Sequence, residues 1–220
     1  VRFNFSGSGQ GPEDEALTDL DAFRRNTFSK ERDEALRMLR AIQEREVGDG
    51  RILTERLGLF GHSRGGAAAL LAAAVRPVQA LVTWSAVGTA QRWNDAMRQA
   101  WRQAGEIEIV NGRTGQKLTI GTELLDDIEH NREALDLTAA AGRRKAPWLV
   151  IHGDADETVP VADARALHDA ATEPRALHIV DDASHTFAAG HPFTGPTPHL
   201  IEAMNATQRW FHRHLVVRSA

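Results

Sequence analysis

The stretch 57–75 constrains the fold more than any other part of the chain. Leu57-Gly58-Leu59-Phe60 reads as a short buried strand, three of the six residues Gly61 to Gly66 are glycine, and 67–75 is an alanine-rich helix. A turn this tight needs glycine where strand and helix backbones approach with no room for a Cβ. Within it, Gly61-His62-Ser63-Arg64-Gly65 has the spacing G-x-S-x-G. That spacing lifts the Ser63 hydroxyl above the sheet and aims the first N–H groups of the helix at negative charge developing beside it. With 18 glycines in 220 residues the pattern arises by chance in about one such chain in twenty, so the flanking strand and helix carry the inference.

A serine hydroxyl is a weak nucleophile until a base takes its proton and a carboxylate orients the base. Both follow downstream, each just past a predicted strand. After 148–151 comes His152-Gly153-Asp154-Ala155-Asp156-Glu157-Thr158-Val159-Pro160, and after 176–180 comes Asp181-Asp182-Ala183-Ser184-His185-Thr186-Phe187. Asp156 competes with Asp154 for the carboxylate role. His178, inside a strand, and His191, in a Pro-flanked loop, are poorer bases than His185 by position.

A further strand at 78–85 and helices at 161–171 and 201–215 complete an alternation that implies a parallel sheet covered on both faces. The alternating Val1-Arg2-Phe3-Asn4-Phe5 predicts another strand, followed by a turn at 6–12. Ser29 is expected to cap a helix that carries Ala35, Met38, Leu39 and Ile42 on one face and ends at Gly48-Asp49-Gly50. Trp93, Met97 and Trp101 recur every four residues on a predicted helix, 106–110 and 117–120 flank the hairpin signal Asn111-Gly112-Arg113-Thr114-Gly115, and a polar helix is expected over 124–137. The segment 90–121 interrupts the alternation and reads as a small cap-like insertion within a single domain, 1–220.

On these motifs the sequence resembles the α/β-hydrolases, in the branch of dienelactone-hydrolase-like proteins and small serine esterases. Gly61-His62-Ser63-Arg64-Gly65-Gly66 resembles the nucleophile elbow, His152-Gly153 with Asp156 and Val159-Pro160 the acid loop, and Ser184-His185-Thr186-Phe187 the histidine loop. The order Ser, Asp, His is that of the family. The resemblance implies Ser63 as nucleophile, His185 as general base and then acid, Asp156 as orienting carboxylate and the Arg64 N–H as one oxyanion donor. It also implies strands ahead of Val1, with a His-Gly loop supplying a second donor, which this chain does not carry. The expectation is therefore an N-terminally truncated hydrolase, with Gly7 and Ser8 as substitute donors. Its open sheet edge would be covered by another chain, as in a homo-oligomer such as a dimer.

Composition narrows the chemistry. The absence of cysteine excludes a disulfide framework, a thiolate nucleophile and Cys-ligated metal. A net charge of −4 argues against nucleic acid, which calls for a basic stripe. No apolar run approaches the roughly 20 residues of a membrane span and no secretory signal is visible, so no membrane partner and a cytoplasmic location are expected. No metal site is expected, because H-E-x-x-H is missing and His212 and His214 point apart on a helix. Gly7-Ser8-Gly9-Gln10-Gly11 fails as a dinucleotide fingerprint, with Pro12 where the third glycine belongs and Glu13, Asp14 and Glu15 following, and no cofactor is expected. The sequon Asn205-Ala206-Thr207 falls inside a predicted helix.

The reading is a serine hydrolase acting on small-molecule carboxylic esters of small or medium acyl groups, with Trp84, Trp93, Met97 and Trp101 as candidates for the substrate pocket. The alternatives are a peptidase, thioesterase or acyltransferase with the same triad, and a catalytically impaired hydrolase serving as an oligomeric or binding module.

Overall fold

The computed structural model describes residues 1–11, 16–48, 52–112 and 114–216. The predicted turn residues Asp49, Gly50 and Arg113, and the Pro12 to Glu15 stretch, lie outside the described residues. The chain forms two compact units, one of 1–34 with 90–135 and the other of 35–89 with 136–220.

The second unit holds the parallel sheet: β1 (Gly58–His62), β2 (Ala80–Trp84), β5 (Trp148–Gly153) and β6 (Arg175–Val180), paired in that order. Every residue of β5 is buried, as a central strand covered on both faces requires. Alternation along the strands sends Val82, Leu149, Ile151 and Val180 to one face, where α8 (Pro198–Leu215) covers them with Ala203, Ala206, Trp210 and Phe211. Leu81, Thr83, Trp148 and Val150 point to the other face, toward α3 (Arg64–Val75), α6 (Leu137–Arg143) and α7 (Val161–Ala170). There Trp148 donates its indole N–H to the Thr83 hydroxyl at 3.0 Å, so neither buried polar group is left unpaired. Eight consecutive residues of α3, Gly66–Ala73, are buried, and the glycine and alanines among them let the helix lie close on β1 and β2.

The first unit contains α1 (Leu20–Arg24), α4 (Asp95–Ala104), the antiparallel hairpin of β3 (Glu106–Val110) and β4 (Lys117–Gly121), and α5 (Glu123–His130). The hairpin forms where the Asn-Gly signal predicts. Trp101, fully buried, donates its N–H to the Ile120 carbonyl at 3.0 Å and ties α4 to the hairpin. Arg24 bridges Glu106 and Glu123, each at 3.0 Å, and the Gln116 amide pairs with both backbone groups of Leu17. The expected insertion, 90–121, lies in this unit, which runs on to Leu135 and takes in the first 34 residues. The boundary between units falls within α2 (Phe28–Gln43), at Glu34 and Ala35.

Four expectations are corrected. Val1–Phe5 forms no strand; a 3-10 turn, Ser6–Ser8, follows directly, and β1 stands at the sheet edge among the described residues. Alternation supplies a side-chain pattern, but a strand exists only where a neighbour accepts its ladder. Thr27 rather than Ser29 caps α2, accepting the Lys30 N–H at 3.2 Å. Trp93 lies ahead of α4, whose cap is Asn94. The polar helix predicted over 124–137 is two helices, because the Asn131 side chain turns back on Asp127 to close α5 and Asp136 caps α6.

Candidate active site

Ser63 sits between the end of β1 and the start of α3 with φ 55 and ψ −124, a conformation that costs an L residue about 1–3 kcal/mol and persists only where its surroundings enforce it. Those surroundings are backbone. The Ser63 N–H donates to the Trp84 carbonyl at 2.8 Å, tying the turn to β2, and the Ser63 carbonyl accepts from Gly66 and Ala67 as the first acceptor of the helix. The glycines differ in what they make room for. A Cβ on Gly61 would lie 2.2 Å from the Gly65 carbonyl oxygen, and one on Gly66 would lie 2.7 Å from the Ala86 Cβ, whereas one on Gly65 meets nothing within 4 Å.

Asp156 lies in the loop after β5 and His185 in the loop after β6. The Asp156 side chain is buried, and its Oδ2 accepts from His185 Nδ1 at 2.8 Å. Its Oδ1 accepts the N–H groups of Thr158 and Val159 at 2.9 and 2.8 Å. Burial alone would push this carboxyl up, but the Val159 N–H, His185 and the Thr158 N–H together outweigh it and hold the group below the ordinary aspartate value. An ionised Asp156 fixes the proton on Nδ1 of His185, which leaves Nε2 as the basic nitrogen. Asp154 does not compete for that place, because its Oδ1 accepts the Asp182 N–H at 2.7 Å and pins the acid loop to the base loop. Gly153 completes that seam, since a Cβ there would lie 2.1 Å from the Ala183 carbonyl oxygen. The base loop is tightly shaped, with Asp182, Phe187 and Ala188 all at φ between 55 and 58 and Phe187 buried under α8.

Two histidines join the constellation that sequence reasoning left without a role. His62 directs Nε2 at the backbone carbonyl of His185 at 2.8 Å, with its ring 4.7 Å from the His185 ring. His152, fully buried, donates Nε2–H to the Val159 carbonyl at 2.8 Å, and the same nitrogen stands 3.3 Å from Asp156 Oδ2. Motif position marks both, at the elbow and in the H-G acid loop, but their partners are identified only by the folded backbone, which no spacing pattern encodes.

The remaining expected residues are placed as follows. Arg64 is the first residue of α3. Gly7 and Ser8 belong to the first unit, and the Ser8 N–H already donates to the Phe5 carbonyl at 2.8 Å. Trp84 packs edge-on to Phe60 and Phe187 and donates its N–H to Thr207 at 2.9 Å, which makes it part of the core under α8. Trp93 stacks edge-on to the buried Trp101 in the first unit, and Met97 is half exposed. His178 pairs with Glu202 at 2.9 Å, and His191 is exposed. Among the described residues no three His, Asp or Glu side chains are grouped to hold a metal ion, and no helix is long and apolar enough to cross a membrane.

Solved structures share this fold. A metagenome-derived lipolytic enzyme is 16% identical with a TM-score of 0.67 over 90% of this chain and 78% of its own. A monoacylglycerol lipase from Paleococcus ferrophilus is 20% identical, with a TM-score of 0.62 over 86% and 77%. A puromycin-hydrolyzing peptidase from Mycobacterium tuberculosis is 18% identical, with a TM-score of 0.61 over 89% of this chain and 27% of that one. None of the curated proteins compared with the chain matches it. The fold is that of the α/β-hydrolases, as the motifs predict. The family model described as the prolyl oligopeptidase family matches residues 20–217, nearly the whole of a chain with this elbow and these strand-end loops, and the chain accordingly belongs to that hydrolase family.

Proposed function

We propose that the protein is a serine hydrolase that cleaves carboxylic esters of small or medium acyl groups through an acyl-enzyme intermediate. The observation that carries this reading is the 2.8 Å bond between His185 Nδ1 and a buried, ionised Asp156, in a loop fastened beside the Ser63 elbow. In the proposed cycle His185 Nε2 takes the Ser63 proton as Oγ attacks the ester carbonyl. Asp156 stabilises the imidazolium that forms, and the N–H of Arg64, at the positive end of the α3 dipole, meets the oxyanion. His185 then returns the proton to the leaving alcohol, and a water repeats the sequence on the acyl-enzyme.

Esters are the less demanding substrate, because an ester carbonyl has less resonance stabilisation than an amide and an alkoxide departs more readily than an amide anion. A peptidase reading stands second, favoured by the family model over residues 20–217 and by the likeness to a peptidase. Both are tested on the 220-residue protein with p-nitrophenyl butyrate and with aminoacyl p-nitroanilides, beside Ser63→Ala. The expected result is ester hydrolysis that falls by at least about 10³-fold in Ser63→Ala. Equal rates in the two proteins would remove the enzyme reading in favour of a non-catalytic module, and anilide turnover exceeding ester turnover would favour the peptidase.

A further inference from the structure

We infer that His62, the residue before the nucleophile, is a positioning residue for the general base: its imidazole fastens the His185 loop to the end of the elbow strand. The inference rests on the triad reading of Ser63, His185 and Asp156 and names what keeps that triad assembled.

The sheet order poses a mechanical problem. β1 and β6 are three ladder steps apart, about 14 Å at ordinary strand spacing. The loop after β6 must therefore cross the ends of β5 and β2 before His185 can serve a nucleophile on β1. Asp156 reaches only the ring of His185, at Nδ1, and comes from β5, one strand away. His62 supplies the remaining tie, at 2.8 Å from the His185 backbone oxygen, and it comes from β1 itself. A carbonyl can only accept, so His62 Nε2 carries the proton and the ring is a donor. His185 is thus gripped at two points, by its main chain through His62 and by its ring through Asp156. Because residues 62 and 63 are consecutive, the grip at His62 sets the distance from base to nucleophile.

The choice of imidazole follows from the charge that His185 acquires. Lysine or arginine at position 62 would place a permanent cation against the His185 ring, 4.7 Å away, just where an imidazolium forms in each turnover. A neutral imidazole donates the same bond without that repulsion. Burial lowers the affinity of His62 for a second proton, opposed by its bond to the His185 carbonyl; His185, Asp156 and His152 are the titratable groups around it.

The test uses His62→Leu, which fills much of the space without a donor, and His62→Gln, whose amide nitrogen can replace Nε2. His62→Asn, whose amide ends short of the carbonyl, serves where the leucine variant does not fold. Two readouts are followed: kcat and KM for p-nitrophenyl butyrate, and the downfield proton NMR resonance of the His185 Nδ1–H bond to Asp156. His62→Leu is expected to lower kcat by about 10²-fold, the usual effect of displacing a catalytic group by an ångström, with KM nearly unchanged and the resonance lost. His62→Gln is expected to recover most of the rate and the resonance. Unchanged kcat and resonance in His62→Leu, a glutamine variant as impaired as the leucine one, or a wild-type protein without the resonance would each overturn the inference. A resonance that depends on His62 in a protein without Ser63-dependent hydrolysis would instead uphold the positioning and sink the proposed function.

Discussion

At the scale of single residues, the elbow motif conceals an inequality. G-x-S-x-G treats its glycines as equivalents, but only Gly61 is sterically obligatory, with the Gly65 carbonyl 2.2 Å from where its Cβ would stand, and Gly65 has open space around its own. Gly61→Ala must push β1 off α3 and is expected to destabilise the protein by about 3 kcal/mol or more and to abolish hydrolysis. Gly65→Ala, in the first turn of α3, is expected to leave stability unchanged or raise it by about 0.5 kcal/mol through the reduced freedom of the unfolded chain. Urea denaturation of both variants checks this, and similar losses in the two would contradict the assignment. The turn at Ser63 and the loops that bring Asp156 to His185 were legible because each sits in a short motif just after a predicted strand. His62 was not legible as an anchor, because its meaning depends on a carbonyl 123 positions away. Spacing likewise could not say whether Trp93, Met97 and Trp101, recurring every four residues, line a pocket or fill a core, and Trp101, buried with its N–H satisfied, does the latter.

At the scale of elements, the loops after β5 and β6 behave as one piece. Asp154 binds the Asp182 N–H, Ala155 donates to the Ala183 carbonyl, and Asp156 binds His185. Asp156 is held below the ordinary aspartate value in the folded protein, whereas in the unfolded chain it titrates near the usual value of about 3.9. On acidification the unfolded state takes up this proton first. The stabilisation is therefore complete above about pH 5 and is lost as the pH falls through about 4 toward the folded value. Asp156→Asn removes that contribution, so between about pH 5 and 3 the wild-type unfolding free energy is expected to fall more steeply than that of the variant. Parallel curves would show that the carboxylate is not held as described. Apart from Val1–Phe5, the strands and the hairpin were legible in the sequence to within a residue or two. The helix predicted over 124–137 was misread because its interruption is a side-chain capping event: Asn131 closes one helix and Asp136 opens the next, and both are ordinary polar residues on a helical face until the chain turns.

At the scale of the whole molecule, the edge strand is the feature open to a test of assembly. Among the described residues no strand pairs with the outer side of β1, and Phe60 on that strand is 49% exposed. A parallel sheet is ordinarily paired and covered, and an unpaired edge offers its N–H and C=O groups to any matching strand. We propose, as the sequence suggests, that a second copy covers this edge; Val1–Phe5 forms no strand, so among the described residues it does not pair there. Light scattering on the 220-residue protein is expected to give a mass above the 24.2 kDa of one chain, falling to that value when Phe60→Lys adds a charge to the edge. A wild-type protein that is monomeric at every concentration examined contradicts it.

The strands of the main sheet lie side by side in the order in which they occur along the chain, from β1 to β6. During synthesis each new strand thus emerges next to the one already laid down, and the sheet can grow in one direction without inserting a late strand between earlier neighbours. On the proposed triad, the nucleophile arrives with β1 and its base only after β6. A nascent chain would then carry Ser63 on a turn long before His185 exists to activate it, and the proposed hydrolysis would begin only with completion of the sheet.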